Sequence, residues 1–254
     1  MGPHPRRFAI VAAVLWLVSG LGGRAEAGIV LQSPAGLNPG DQFRFVFVTD
    51  GTHNAISTNI ADYDSFVNAE AGGATYNGVV VNWLAIGSTD SVDAIDHIGQ
   101  ATAPVYLSDG TLVTTSTTSA GLWLGPQVQL LHAINLDLAG NPPPPSDNFV
   151  WTGTNPLGTG FGGALGDPRV QVGSLIFSDA SWVASGTDNS VGLGRPFYGI
   201  SSILTVPQAV PEPSTLAMLG TALGAGLAIG WARPRRDPQR AAGSTASPTS
   251  SDGQ

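Results

Sequence analysis

Apolar and polar positions alternate most cleanly at Phe43-Arg44-Phe45-Val46-Phe47-Val48-Thr49, which puts Phe43, Phe45 and Phe47 on one face. That period of two predicts a strand. The spacing then lengthens: Ile60, Tyr63, Phe66 and Val67 form an apolar stripe, which predicts a helix over Asn59–Ala71. Asn59 suits its N-cap, Asp62 favours its first turn, and Gly72-Gly73 ends it. Val92, Ile95 and Ile98 predict a brief second helix over Ser91–Ile98. Short strands are predicted at Gly28–Gln32, at Val79–Ile86 around Trp83, at Phe149–Thr152, and at Phe197–Val206. Pro104–Val113 reads as a hairpin turning at Ser108-Asp109-Gly110. The rest reads as loop: Thr114–Ser119, a stiff connector at Pro142–Pro145, and a Gly-rich stretch from Gly153 to Gly173. No internal repeat is present.

Two long apolar runs stand apart from this mixture. Arg6 and Arg7 precede Phe8–Leu21, and Ala25-Glu26-Ala27 follows as a small-x-small cleavage site. Residues 1–27 are therefore expected to be a signal peptide for the general secretory route, with the mature chain beginning near Gly28. Near the other end, Leu216–Ala232 carries no charge; its seventeen residues reach roughly 26 Å as a helix, enough for a bilayer core. Gly220, Gly224 and Gly226 are tolerated in such a span, and Arg233, Arg235 and Arg236 are expected to stay cytoplasmic. Pro211-Glu212-Pro213 stands just before it. Motif, span and arginine cluster, over 208–236, resemble the PEP-CTERM sorting signal of Gram-negative-type bacteria. The resemblance implies a membrane transpeptidase, exosortase, that recognises Pro211, Glu212 and Pro213. It also implies transient or permanent anchoring in the membrane and a final place at the cell surface or outside the cell. Family tails usually stop at the basic cluster, whereas residues 237–254 continue as a Ser/Thr/Gly-rich stretch expected to be disordered.

Removing both ends leaves 28–207 as one extracellular domain, large enough for its own core. The chain has no cysteine, so no disulfide staples the fold and no thiolate does chemistry. Lysine is also absent, and between 28 and 211 three arginines (Arg44, Arg169 and Arg195) face fourteen acids, a balance of −11. Such a surface repels nucleic acid and anionic lipid headgroups. Thirty-four glycines and few charges predict a loop-rich fold instead of a helical bundle.

The order of pieces carries a second resemblance. A strand and helix lead to Trp83-Leu84-Ala85-Ile86-Gly87-Ser88-Thr89, then to the acidic short helix Asp93–Ile98. Pro-Val-Tyr-Leu with Asp-Gly follows at 104–110, then Val150-Trp151-Thr152-Gly153 running to Gly158, and finally Trp182 before the closing strand. This order resembles the C-type-lectin-like fold, in its endostatin-type branch. The resemblance implies an α+β, mixed domain with short antiparallel strands, two helices and long loops, followed here by the single membrane helix. Lacking the family's disulfides, the chain should bury Trp83, Trp123, Trp151 and Trp182 as core anchors. The resemblance also implies that first and last strands pair, Gly28–Gln32 with Ser201–Val206, so that Val30 neighbours Ile203. The loops from Thr114 to Gly173 would then form the ligand face.

Candidate chemistry is sparse. Gly158-Thr159-Gly160-Phe161-Gly162-Gly163 spells a Gly-x-Gly-x-x-Gly pattern, but Pro168 and the absence of a helical period downstream make it a loop, not a nucleotide site. His53, His97 and His132 are dispersed; Asp93, Asp96 and His97 are close in sequence and read as a solvated helix start. No Gly-x-Ser-x-Gly elbow occurs. Glu70 is the sole glutamate of the mature domain, so a glycosidase pair would need aspartates. Calcium is the one ion that the lectin resemblance implies, held in the long-loop region by Asp137, Asn141, Asp147, Asn155 and Asp167 with Asn148. Turn formation is the other reading of those residues. No other cofactor is expected. The sequence thus leads to a non-enzymatic exported protein whose domain binds a glycan or another envelope component. An extracellular polysaccharide hydrolase and a purely structural matrix protein are the alternatives.

Overall fold

A computed structural model describes residues 28–143 and 148–208. Strand β2 (Gln42–Val48), the strand predicted by the phenylalanine alternation, runs through the middle of the largest sheet. On one side it pairs antiparallel with β11 (Tyr198–Ser201), which pairs in turn with β5 (Trp83–Ala85). On the other side it pairs in parallel with β6 (Val105–Tyr106), and β6 pairs antiparallel with β7 (Leu112–Thr114). The short β12 (Leu204–Thr205) returns to pair with the start of β2. A second, antiparallel sheet has the order β10 (Gly186–Asp188), β9 (Val170–Ser174), β8 (Phe149–Trp151). A third places β3 (Thr75–Tyr76) between β1 (Val30–Leu31) and β4 (Val79–Val80). The helices are α1 (Ile60–Glu70) and the single turn α2 (Ala94–His97). The domain is therefore mostly short strands and loops with few helices.

Alternation along β2 divides the apolar interior in two. Phe43, Phe45 and Phe47 pack with Tyr63 and Val67 of α1, and with Tyr76, Trp83, Trp151 and Phe197. Their rings meet edge-on: Phe43 with Tyr76 at 5.4 Å and Phe47 with Trp83 at 4.8 Å. Val46 and Val48 point the other way, into a cluster holding Ile98, Trp123, Ile134, Trp182 and Tyr198. Trp83, Trp123, Trp151 and Trp182 are all fully buried, as expected for a chain without disulfides. Arg44 shares the Val46 face and is buried with them. Its Nε donates to Ser201 O at 2.7 Å and its Nη1 to Ile98 O at 2.7 Å, so it ties β2 to β11 and to the end of α2. Burial pulls its guanidinium down to about 10.

Several predicted elements form where the chemistry placed them. Asn59 caps α1 by accepting from Ala61 N, and Gly72 and Gly73 end it with positive φ. The β6–β7 hairpin turns through Gly110, also at positive φ. Others differ. Val79–Ile86 is two strands, not one: the tight turn at Asn77 (φ 51°) and Gly78 (φ 76°) folds β4 back on β3, and the chain then breaks at Val81-Asn82 so that β5 can pair with β11 in the large sheet. Phe197–Val206 likewise breaks at Ser202-Ile203 into β11 and β12. The stretch Gly153–Gly173, expected to be irregular, ends inside β9.

The expected pairing of first and last strands is overturned. Val30 aligns with Thr75 and Leu31 with Tyr76, in parallel, while Leu204 aligns with Phe43. The Asn77-Gly78 hairpin supplies β1 with an edge, and β2 is long enough to seat β12 beyond the end of β11. Not all strand pairs are antiparallel, since β1–β3 and β2–β6 are parallel. Among the described residues no helix is long and apolar enough to cross a membrane. The predicted signal peptide, membrane helix and tail lie outside the described residues.

Candidate functional site

The Gly-rich loop after β8 builds the most distinctive surface of the domain. Thr89 bridges to Leu165, and Leu165 N donates to Ser88 O at 2.8 Å, so the loop lies against the chain entering α2. Ile95 N donates to Gly158 O and Gly160 N to Asp93 Oδ1 at 2.9 Å. Two glycines allow this closeness. A Cβ on Gly160 would stand 2.9 Å from Thr89 O, and one on Gly158 would stand 2.7 Å from Ile95 Cβ at a φ of +84°. Asn155 closes the turn through Thr159, accepting from Leu157 N at 2.8 Å and donating to Thr159 Oγ1 at 2.7 Å. Asp167 Oδ2 accepts from Ala164 N at 3.0 Å.

This bracing leaves a cleft of 370 Å³ bordered by Thr89, Asp90, Asp93, Thr159, Gly160 and Asp167, with Phe161 at its lip. A second depression, of 460 Å³, meets it at Gly162 and Asp167 and continues past Pro168 to Arg169. Phe161 is 90% exposed, the most exposed large apolar side chain among the described residues. Asp90 bonds to none of them, whereas Asp93 and Asp167 each accept from a loop amide. The site therefore joins an aromatic face on the braced loop to three carboxylates, Asp167 from the loop and Asp90 and Asp93 from the chain entering α2.

Beyond Gln208 the chain carries a recognisable address. Residues 209–236 match the PEP-CTERM protein-sorting motif family. The chain is an exported substrate of exosortase. That motif implies a destination at the cell surface or outside the cell. Pro211, Glu212 and Pro213 fall within the matched segment and outside the described residues. No curated protein matches the chain.

Within this exosortase substrate the loop residues expected around calcium take separate places. Asp137 and Asn141 pair across one turn, with Asn141 N donating to Asp137 Oδ1 at 2.8 Å. Asn155 and Asp167 border the cleft described above, the first through Thr159. Asp147 lies outside the described residues. Among the described residues no three His, Asp or Glu side chains group around a point that could hold a metal ion. The sequence neighbours Asp93, Asp96 and His97 also diverge. His97 Nε2 meets Asp64 Oδ1 of α1 at 2.9 Å, and the same oxygen accepts from Ala85 N. Sequence reasoning passed over Phe161 and Asp90. The signal was there: a lone aromatic residue among five glycines from 158 to 166 has little to pack against on its own loop.

Proposed function

We propose that this exported protein binds a polysaccharide along the cleft between Thr89–Asp93 and the 158–167 loop. The observation that carries the reading is Phe161, 90% exposed beside the cleft on a loop tied by hydrogen bonds at Gly160 N and Gly163 O. What sets Phe161 apart from the other exposed apolar side chains is its place beside a cleft lined by carboxylates. The electron-rich face of the ring attracts the C–H face of a pyranose, and the carboxylates of Asp90, Asp93 and Asp167 can accept from sugar hydroxyls. A braced loop loses little freedom on binding, which favours affinity. Two depressions meeting at Gly162 and Asp167 suit a chain of sugars better than a single one. Acidic walls disfavour uronic-acid polymers, so neutral or amino polysaccharides are the preferred class. The lectin-like order of elements points the same way by analogy alone. Binding without catalysis is the reading kept here, because Asp93 and Asp167 hold the loop by accepting hydrogen bonds from the Gly160 and Ala164 amides.

A panel of immobilised neutral, amino and uronic polysaccharides, probed with the full chain, tests it. Retention on a neutral or amino glycan, lost in Phe161→Ala, is expected. Retention on none of them, or release of new reducing ends, would contradict it.

A further inference from the structure

The two depressions that meet at Gly162 and Asp167 carry opposite charge at their far ends. The first borders Asp90 and Asp93 and no basic side chain. The second ends on Arg169. Between residues 28 and 211 the chain has three arginines and no lysine. Arg44 is buried on carbonyls, and Arg195 pairs with Asp188 at 2.6 Å and packs over Trp151. Arg169 is the one exposed arginine among the described residues, and it pairs with no carboxylate among them. It is also held in place. Its Nη2 donates to Thr187 Oγ1 of the neighbouring strand β10 at 2.8 Å. Gly163 seats the loop against this pair: its carbonyl accepts from Gln171 N at 2.9 Å, and a Cβ there would stand 3.1 Å from Arg169 O. One N–H of the guanidinium is used, and the rest of its planar fork bonds to none of the described residues.

We infer that the ligand of this cleft is a zwitterionic polysaccharide, with an amino sugar in the first depression and a carboxylate substituent beside Arg169 in the second. The inference rests on the polysaccharide reading above and narrows it by charge. An ammonium finds Asp90, which bonds to no described residue, and the second oxygens of Asp93 and Asp167. A carboxylate finds the guanidinium fork, which can grip both of its oxygens. It brings one negative charge for one arginine, where a phosphate monoester brings up to two into an acidic surrounding. A polymer with an acid on every sugar must also set carboxylates against Asp90 and Asp93, which costs affinity. A polymer with amines alone sets like charge against Arg169. A chain that carries both signs suits both ends.

Four soluble polymers test this, because they share a β-1,4-linked backbone and differ in charge: hydroxyethyl cellulose, chitosan, carboxymethyl cellulose and O-carboxymethyl chitosan. Their short-chain forms would be titrated into the full chain in a mildly acidic buffer that keeps amines protonated and carboxylates ionised. General attraction to an acidic surface favours chitosan, since carboxymethylation lowers the polymer's positive charge. The inference predicts the reverse. Carboxymethyl chitosan should bind about two- to fivefold tighter than chitosan, the gain of one exposed ion pair, and carboxymethyl cellulose should bind weakest. Arg169→Gln should abolish that gain, and Arg169→Lys should restore part of it. Chitosan binding as tightly as carboxymethyl chitosan, or a gain that persists in Arg169→Gln, would overturn the inference and leave the polysaccharide reading standing. Binding of none of the four would overturn it too, and failure on the immobilised panel as well would take the reading beneath it.

Discussion

Arg44 occupies a core position, and among the described residues no carboxylate pairs with it; its donors meet the carbonyls of Ser201, Ile98 and Gly99. Carbonyl dipoles at the end of α2 and on β11 take the place of a counter-ion. Arg44→Met should leave the Ser201 and Ile98 carbonyls without a donor, at about 1–3 kcal/mol each. The urea midpoint should fall accordingly, and Arg44→Lys, with one ammonium, should recover only part of the loss. In the sequence Arg44 reads as the polar side of an alternating strand, because a period of two says which residues share a face and not which face meets water. Asp188 is a more exposed case. The Ser190 amide first, and Arg195 at 2.6 Å as a further cause, hold its carboxyl below the usual carboxylate range. A depressed acid stabilises the fold above its unfolded pKa, and that contribution is lost as pH falls through the folded value. Asp188→Asn should therefore lower the urea midpoint at neutral pH and match wild type at pH about 2, below the carboxylate range. A gap that persists in acid would show that the effect is not electrostatic.

Elements were legible where they were long enough to show a period. Helix α1 has eleven residues, a capping Asn59 and a Gly-Gly stop, and β2 has seven alternating residues; both form as the pattern predicts. Strands of two or three residues have no period to read, which is why β3 and β10 escaped notice and Val79–Ile86, which holds β4 and β5, read as one strand. One local signal did exist. Asn77-Gly78 is the dipeptide that a two-residue hairpin prefers, and both residues stand at positive φ. Gly78→Ala should cost about 1–2 kcal/mol, because an L side chain is disfavoured there. It should also free β1, whose only strand partner among the described residues is β3. Faster amide exchange at Val30 and Leu31 in that variant is the measurement. The 158–167 loop was legible as a loop, but its rigidity was not. That rigidity rests on Asp93, Ser88 and Ile95, about sixty to eighty residues earlier in the sequence, and such contacts leave no local pattern.

At the scale of the whole molecule, a sheet-rich exported domain is joined to an exosortase address at 209–236. The address was readable because sorting machinery reads sequence directly. The cleft was not, because it depends on two distant segments meeting. Native material should yield an intact mass that starts near Gly28 and ends before Leu216; a species retaining Met1 or Gln254 would contradict the expected processing. The central claim is that Phe161 and its cleft hold a polysaccharide, and side-by-side affinity electrophoresis tests it most directly. Wild type, Phe161→Ala and Phe177→Ala would migrate through gels containing a retained neutral or amino glycan. Phe177 is 44% exposed and lies outside the cleft, so it measures any general effect of removing a surface ring. The account predicts retardation of wild type and Phe177→Ala, and free migration of Phe161→Ala. Equal retardation of all three proteins would contradict it.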